Sequence, residues 1–167
     1  MSNNTIYCDS YDHIAEGVWD GYAGNGEPYG FFNVALSSKF GRTGEKAKEN
    51  CEGTNPCGEQ FLESYELCNL VETFPANHAS LEDYLETLKY AYLYGKSVTL
   101  LPTHNQETNS VMLRNRRIGV GMSGIVQAIA KFGRYAFLHF ADQGYNKIQE
   151  LDAQYSEWLC VNRSIKT

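Results

Sequence analysis

The segment Asn55-Pro56-Cys57-Gly58-Glu59 gives the clearest indication of the fold and the chemistry of this protein. Proline fixes its own φ angle and disfavours helix at the preceding residue, whereas glycine permits a tight or left-handed conformation. The five residues are therefore predicted to form a loop. In a locally extended loop, alternate residues project to the same side. Asn55, Cys57 and Glu59 would then present an amide, a thiol and a carboxylate to one small volume.

This set of side chains is suited to a catalytic site. Asn55 can orient a substrate by hydrogen bonding, Cys57 supplies a sulfur that can act as nucleophile or radical carrier, and Glu59 can accept a proton. A surface turn with a half-buried cysteine and a solvated glutamate is the alternative. A second thiol, Cys68, follows eleven residues after Cys57. It can return on a hairpin and donate electrons, although it can equally be a small buried hydrophobe.

Around this loop, helical patterns alternate with short apolar runs that are punctuated by glycine. Such alternation favours an α/β fold over a helical bundle or a sandwich. Residues 37–54 are polar and are predicted to be a loop with a possible helical turn near 45–50. Helices are predicted for residues 10–22, 80–95, 124–132 and 142–162, and strands or extended segments for residues 29–36 and 118–122. Residues 97–101 fit either a strand or the tail of a packed segment.

Composition and charge exclude several classes of function. The 167 residues, of which 43% are hydrophobic, suffice for a globular domain with a buried core. Fourteen Lys and Arg against twenty Asp and Glu give a net charge of −6, so nucleic acid is not an expected partner. The longest apolar runs fall far short of the roughly 20 residues that cross a bilayer. Since the N-terminal residues are also too polar for a signal peptide, a cytoplasmic protein without a membrane partner is expected.

Two binding modules are alternatives to a catalytic site. A zinc site could use the cysteines at 51, 57 and 68 with His78, but their spacings of 6 and 11 residues are looser than the paired spacing of structural zinc sites, and no metal is expected. Residues 119–124, Gly-Val-Gly-Met-Ser-Gly, match the G-x-G-x-x-G pattern of dinucleotide-binding folds. The preceding strand would have to include the basic residues 114–117. Glycines that permit close packing between a strand and a helix are therefore the preferred interpretation.

Three segments of the sequence together resemble the catalytic core of ribonucleotide reductases. They are residues 55–59, residues 63–72 (Glu-Ser-Tyr-Glu-Leu-Cys-Asn-Leu-Val-Glu) and residues 116–124 (Arg-Arg-Ile-Gly-Val-Gly-Met-Ser-Gly), and residues 25–28 (Asn-Gly-Glu-Pro) also fit. The eleven-residue step from Cys57 to Cys68 resembles the adenosylcobalamin-dependent class, particularly its ribonucleoside-triphosphate reductases. A reductase that receives its radical from a partner subunit is the alternative within the superfamily, and the short step argues against it.

The resemblance implies a fold and a role for each candidate residue. The fold is a ten-stranded α/β barrel with a finger loop through its centre, here about residues 54–60. Cys57 matches the cysteine that becomes a thiyl radical and takes the 3′ hydrogen atom of the substrate ribose. Glu59 matches the carboxylate that accepts the 3′-hydroxyl proton, and Asn55 matches the amide that binds the ribose hydroxyls. Cys68 matches one of two thiols that reduce the 2′ position and become a disulfide, with its partner outside this chain.

The resemblance also implies a reaction and its cofactors. The reaction is the reduction of ribonucleotides to 2′-deoxyribonucleotides for DNA synthesis, with adenosylcobalamin as radical source and a thioredoxin-like dithiol as reductant. Whether a diphosphate or a triphosphate is the substrate stays open. The family's N-terminal barrel strands, phosphate-binding loop and C-terminal cysteine pair have no counterpart in this sequence. Residues 1–167 are therefore expected to be a central segment of the barrel that is inactive without the complementary segments.

Overall fold

The computed structural model describes residues 4–24, 26–28, 30–39 and 50–166. Its helices and short strands confirm the expected α/β content. The chain divides into two compact units, Met1–Glu66 and Leu67–Thr167. The helical turn predicted near residues 45–50 falls almost entirely outside the described residues. Within the described ranges, no helix is both long and apolar enough to span a membrane.

The first unit contains two small sheets. In chain order its elements are β1 (Thr5–Cys8), α1 (Val18–Ala23), β2 (Gly30–Asn33), α2 (Val34–Ser37), β3 (Gly53–Thr54) and β4 (Phe61–Leu62). Strands β1 and β2 are parallel, and β3 and β4 form an antiparallel hairpin. The Tyr7 hydroxyl lies 3.2 Å from Thr54 Oγ1, and the rings of Phe32 and Phe61 are 4.9 Å apart. One face of the hairpin is therefore anchored on the β1–β2 pair.

The helix predicted over residues 10–22 is interrupted. Ser10 is an N-cap as expected, because its side chain accepts a hydrogen bond from the Asp12 N–H, but it caps only a 3₁₀ turn at Tyr11–His13. Gly17 adopts φ +90°, a left-handed conformation that ends any continuous helix, and α1 begins at Val18. Cys8 lies before this segment and is the last residue of β1.

The second unit packs helices against a parallel strand pair. Its elements are β5 (Leu70–Thr73), α3 (Leu81–Val98), α4 (Gln106–Asn115), β6 (Gly119–Met122), α5 (Ile125–Phe132) and α6 (Arg134–Trp158). Strands β5 and β6 pair in parallel from Leu70 opposite Gly119 to Thr73 opposite Met122. The core lies mainly between α3 and α6 and is formed by Tyr84, Leu88, Tyr92, Ile118, Phe140, Ile148, Leu151 and Tyr155.

Helix α3 begins where the sequence predicts but ends later. The Ser80 side chain accepts from the Asp83 N–H, and the Asp83 carboxylate accepts from the Ala79 N–H. Gly95 does not stop the helix, which runs to Val98, so of the two interpretations of residues 97–101 the strand is wrong. A Cβ atom on Gly95 would lie 3.0 Å from a methyl group of Val71 and 3.1 Å from one of Ile118. The glycine therefore permits close packing of α3 on β5 and β6.

Candidate functional site

The predicted loop is the connection between β3 and β4. The Asn55 N–H donates to the Gln60 carbonyl at 3.1 Å, and the Gln60 N–H donates to Asn55 Oδ1 at 3.0 Å. Within this closure, the Gly58 N–H donates to the Asn55 carbonyl at 3.0 Å. Pro56 occupies the second position of the resulting β-turn, where proline is favoured, and Gly58 adopts φ +82°. The loop is therefore a tight turn, and the locally extended conformation expected from the sequence is not formed.

The turn brings two of the candidate side chains together. Asn55 is buried, whereas Cys57 and Glu59 are exposed. Asn55 Nδ2 donates a short hydrogen bond to Glu59 Oε1. Because Asn55 Oδ1 is already fixed on the Gln60 N–H, the amide cannot flip without losing both contacts. The arrangement therefore orients the Glu59 carboxylate on the turn that carries the exposed Cys57 thiol.

Gln60 is a residue of this loop that sequence reasoning missed. It is buried and lies opposite Asn55 at the base of the turn. Its side-chain Oε1 has no hydrogen-bond partner within the described part of the chain. A buried amide beside a buried asparagine is detectable only once the hairpin pairing is known, because in sequence Gln60 follows an exposed glutamate and resembles a surface residue.

The role of Asn55 in closing the turn can be tested by replacing it with alanine. We expect Asn55→Ala to leave the buried Gln60 N–H without its acceptor, which costs about 1–3 kcal/mol. The amide of Gln60 should then exchange with solvent roughly tenfold faster or more. Hydrogen exchange followed by NMR measures this. Asn50→Ala, at an exposed position in the same unit, is the matched control. An unchanged exchange rate of the Gln60 amide in Asn55→Ala would contradict the role of Asn55 in closing the turn.

Cys68 lies in the second unit, half-buried and just before β5. The N–H of its preceding neighbour, Leu67, donates to Met112 Sδ at 3.4 Å. The carbonyl of its following neighbour, Asn69, accepts from the Gly119 N–H at 2.8 Å. The backbone is therefore held on both sides of the thiol. Its function as a redox partner stays a prediction.

The two binding-module alternatives gain no support from the geometry. Across the described ranges, no group of three or more His, Cys, Asp or Glu side chains is placed to hold a metal ion. In the G-x-G-x-x-G segment, Gly119 and Gly121 lie inside β6 and not in a turn after it. A Cβ atom on Gly121 would collide with the side chain of Glu72 on the neighbouring strand. That contact is with the end of a flexible side chain on a strand, so the close packing between a strand and a helix that the sequence favours stays a prediction.

The chain is similar in fold to a solved enzyme structure. No family model matches the chain. A solved structure, that of a B12-dependent (class II) ribonucleotide reductase, superposes on 98% of this chain and 27% of its own, with a TM-score of 0.77 and 30% identity. The described structure therefore has the fold of a segment of that reductase.

Curated proteins are similar to this chain over 99% of its length. The chain is 47% identical to a probable adenosylcobalamin-dependent ribonucleoside-triphosphate reductase of Dictyostelium discoideum and 46% identical to the corresponding reductase of Euglena gracilis. It is 33% identical to the reductase of Lactobacillus leichmannii. Each alignment covers 99% of this chain but only 22 to 26% of the relative. The chain is thus homologous throughout to a segment of the adenosylcobalamin-dependent ribonucleoside-triphosphate reductases, which confirms the resemblance, and it spans about a quarter of their length.

Proposed function

We propose that this chain supplies the radical-bearing loop of an adenosylcobalamin-dependent ribonucleoside-triphosphate reductase. One observation carries the proposal: the buried Asn55 amide orients the Glu59 carboxylate on the tight turn that exposes the Cys57 thiol. A hydrogen-atom carrier and a proton acceptor on one rigid turn are what removal of a hydrogen atom from a hydroxyl-bearing carbon requires. The homology of the whole chain to these reductases supports the assignment.

Each candidate residue then has a chemical task. The Cys57 sulfur, as a thiyl radical, takes the 3′ hydrogen atom of the ribose and returns it after the 2′ position is reduced. Glu59 accepts the proton of the 3′ hydroxyl and gives it back at the same stage. Asn55 holds Glu59 in place and matches the amide that binds the ribose hydroxyls. Cys68 and a thiol outside this chain give two electrons and two protons as the 2′ hydroxyl leaves as water. The two sulfurs end as a disulfide, which a thioredoxin-like dithiol reduces.

The cofactor named for the relatives is adenosylcobalamin, which supplies a radical by homolysis of its cobalt–carbon bond. A cavity of about 300 Å³ lies beside the β3–β4 hairpin, and Glu52, Glu63 and Glu66 line it. Pockets of roughly 300–1,000 Å³ hold drug-sized ligands, and a corrin ring is much larger. This cavity is therefore too small and too acidic for the cofactor, and we assign it no cofactor contact.

The same proposal accounts for the incomplete sheets. Parallel sheets are normally covered on both faces and contain more than two strands. The parallel pair of β5 and β6 is therefore best explained as two neighbouring strands of the ten-stranded barrel, with residues 1–167 as its central segment and residues 54–60 as its finger loop. The remaining strands, the phosphate-binding loop and the C-terminal cysteine pair would come from other sequence of the same cytoplasmic enzyme.

Deoxyribonucleotide formation is the test. The matching segment of the Dictyostelium discoideum relative is replaced by this chain, and turnover is measured with a ribonucleoside triphosphate, adenosylcobalamin and a dithiol. We expect the hybrid to form deoxyribonucleotide, and the 167-residue chain alone to form none. The unmodified relative and a version without the segment are the controls. A hybrid that folds and yet has no activity would contradict the proposed function, and activity of the isolated chain would contradict its incompleteness.

A further inference from the structure

A buried ion pair lies in the second unit, away from the β3–β4 loop in sequence. Lys96 Nζ is 2.7 Å from Asp152 Oδ1, and the two side chains are 0% and 4% exposed. The Tyr92 hydroxyl donates to the same oxygen at 2.8 Å. Burial lowers the pKa of Lys96, while its hydrogen bond to Asp152 and the charge of that carboxylate oppose the shift. Because two charges are costly to bury, such a pair is weak evidence for stabilisation by itself, and another role has to be sought.

The ion pair holds the backbone of residues 162–166. Lys96 Nζ donates to the Asn162 carbonyl at 3.0 Å, and the Ser164 N–H donates to Asp152 Oδ2 at 3.1 Å. The Arg163 guanidinium adds a longer contact, with its Nε 3.5 Å from Asp152 Oδ2. Both charged side chains therefore hydrogen-bond the backbone of residues 162–166, and this segment has no regular secondary structure of its own.

The segment in turn holds the junction between α4 and β6, residues 113–118. The Asn162 amide donates to the Leu113 carbonyl at 3.3 Å, at the C-terminal end of α4. The Ile165 N–H donates to the Asn115 carbonyl at 2.8 Å, and the Ile118 N–H donates to the Lys166 carbonyl at 3.5 Å. The junction therefore exchanges hydrogen bonds with residues 162–166 at both of its ends.

The junction and the two residues that flank it, Met112 and Gly119, contact the residues on either side of Cys68. Met112, in the last turn of α4, accepts the Leu67 N–H, and Gly119, the first residue of β6, donates to the Asn69 carbonyl. The Asn69 amide also donates to the Arg117 carbonyl at 3.3 Å. Hydrogen bonds, joined by the backbone of the α4–β6 junction, thus connect the buried ion pair to the backbone that carries the Cys68 thiol.

We propose that Lys96 and Asp152 are positioning residues for Cys68, acting through residues 162–166 and the α4–β6 junction. The proposal rests on the proposed function in giving the Cys68 thiol a redox task that requires a fixed position. A hydrophobic pair would fill the same space at lower cost, but it could not bind the Asn162 carbonyl and the Ser164 N–H. The charges are therefore needed for the placement of this segment.

Alkylation of Cys68 tests the proposal on the 167-residue chain without any turnover. Lys96→Met is treated with iodoacetamide under native conditions, and the alkylation rate of each cysteine is read by mass spectrometry. We expect Cys68 to react roughly tenfold faster than in the unmodified chain, because its backbone supports open locally. The exposed Cys160 should change less than about twofold. The matched control is Lys89→Met on the same helix, whose ion pair with Glu86 is exposed.

Hydrogen exchange of the α3 amides shows whether Lys96→Met folds. If it does not, a second variant provides the test. Asn162→Ala leaves the ion pair in place and removes the side-chain hydrogen bonds from Asn162 to the Leu113 and Arg114 carbonyls of α4. An unchanged alkylation rate of Cys68 in folded Lys96→Met, or in Asn162→Ala if the first variant unfolds, would overturn the proposal. The redox task is tested separately: if Cys68→Ser in the reductase hybrid retained turnover, the proposed role of Cys68 would fail, whatever the alkylation rates.

Discussion

Replacing Cys57 by serine is expected to reduce deoxyribonucleotide formation by the reductase hybrid at least about 10³-fold, as removal of an essential reacting group does in other enzymes. An O–H bond is much stronger than an S–H bond, so serine cannot carry the radical that takes the 3′ hydrogen atom. The turn itself should persist, because Pro56, Gly58 and the Asn55–Gln60 hydrogen bonds form it and the Cys57 side chain is exposed. Steady-state turnover, with circular dichroism as a check of folding, measures the effect.

Two further variants separate the radical role from other effects. Cys160→Ser removes an exposed thiol whose one described hydrogen bond goes to the Glu157 carbonyl, and it should leave turnover unchanged. Glu59→Gln keeps the shape of the side chain but removes the proton acceptor, so a loss of about 10²–10⁴-fold is expected. Full activity of Cys57→Ser would show that the sulfur is not the radical carrier.

The features that the sequence could predict are those set by residues close together in the chain. The loop at residues 55–59 follows from proline and glycine, and the start of α3 follows from Ser80 and Asp83, because each of these signals acts within a few residues. The parallel strand at Gly119–Met122 and the end of α5 at Gly133 were also predicted from short apolar runs and a glycine. The family resemblance rested on the same short segments.

Three features could not be predicted from the sequence: helix α4, the burial of Lys96 and the Asn55–Glu59 hydrogen bond. Helix α4 was missed because most of its residues are polar and its N-cap, Asn105, stands in a polar stretch. Lys96 resembled a surface lysine at the end of a helix, and its burial follows only from the approach of Asp152, 56 residues further on. Within the site, the Asn55–Glu59 hydrogen bond arises from the turn and not from the extended geometry that the sequence suggested. Only the burial of Lys96 is a case in which a tertiary contact overrides a local pattern, whereas α4 and the Asn55–Glu59 bond are local features.

Asp152→Ala is expected to destabilise the second unit by about 3–5 kcal/mol, the usual cost of removing one partner of a buried ion pair. The substitution leaves the Lys96 ammonium buried without its counterion, and it removes the acceptor of the Tyr92 hydroxyl and of the Ser164 N–H. Because domains are stable by only about 5–15 kcal/mol, this loss is a large fraction of the stability of the unit, and the urea midpoint should fall accordingly. Urea unfolding followed by circular dichroism measures the loss.

The size of this loss distinguishes a buried pair from an ordinary surface contact on the same helix. Glu150→Ala removes the partner of Lys147 in an exposed pair of α6, and it should change the free energy of unfolding by less than about 1 kcal/mol. Replacing both buried partners, as Lys96→Met with Asp152→Leu, should recover much of the stability lost in Asp152→Ala, because no charge is then left buried alone. The double variant should nevertheless keep the fast alkylation of Cys68, since neither new side chain can bind residues 162–166. An Asp152→Ala chain as stable as the Glu150→Ala control would show that the pair is not buried in solution.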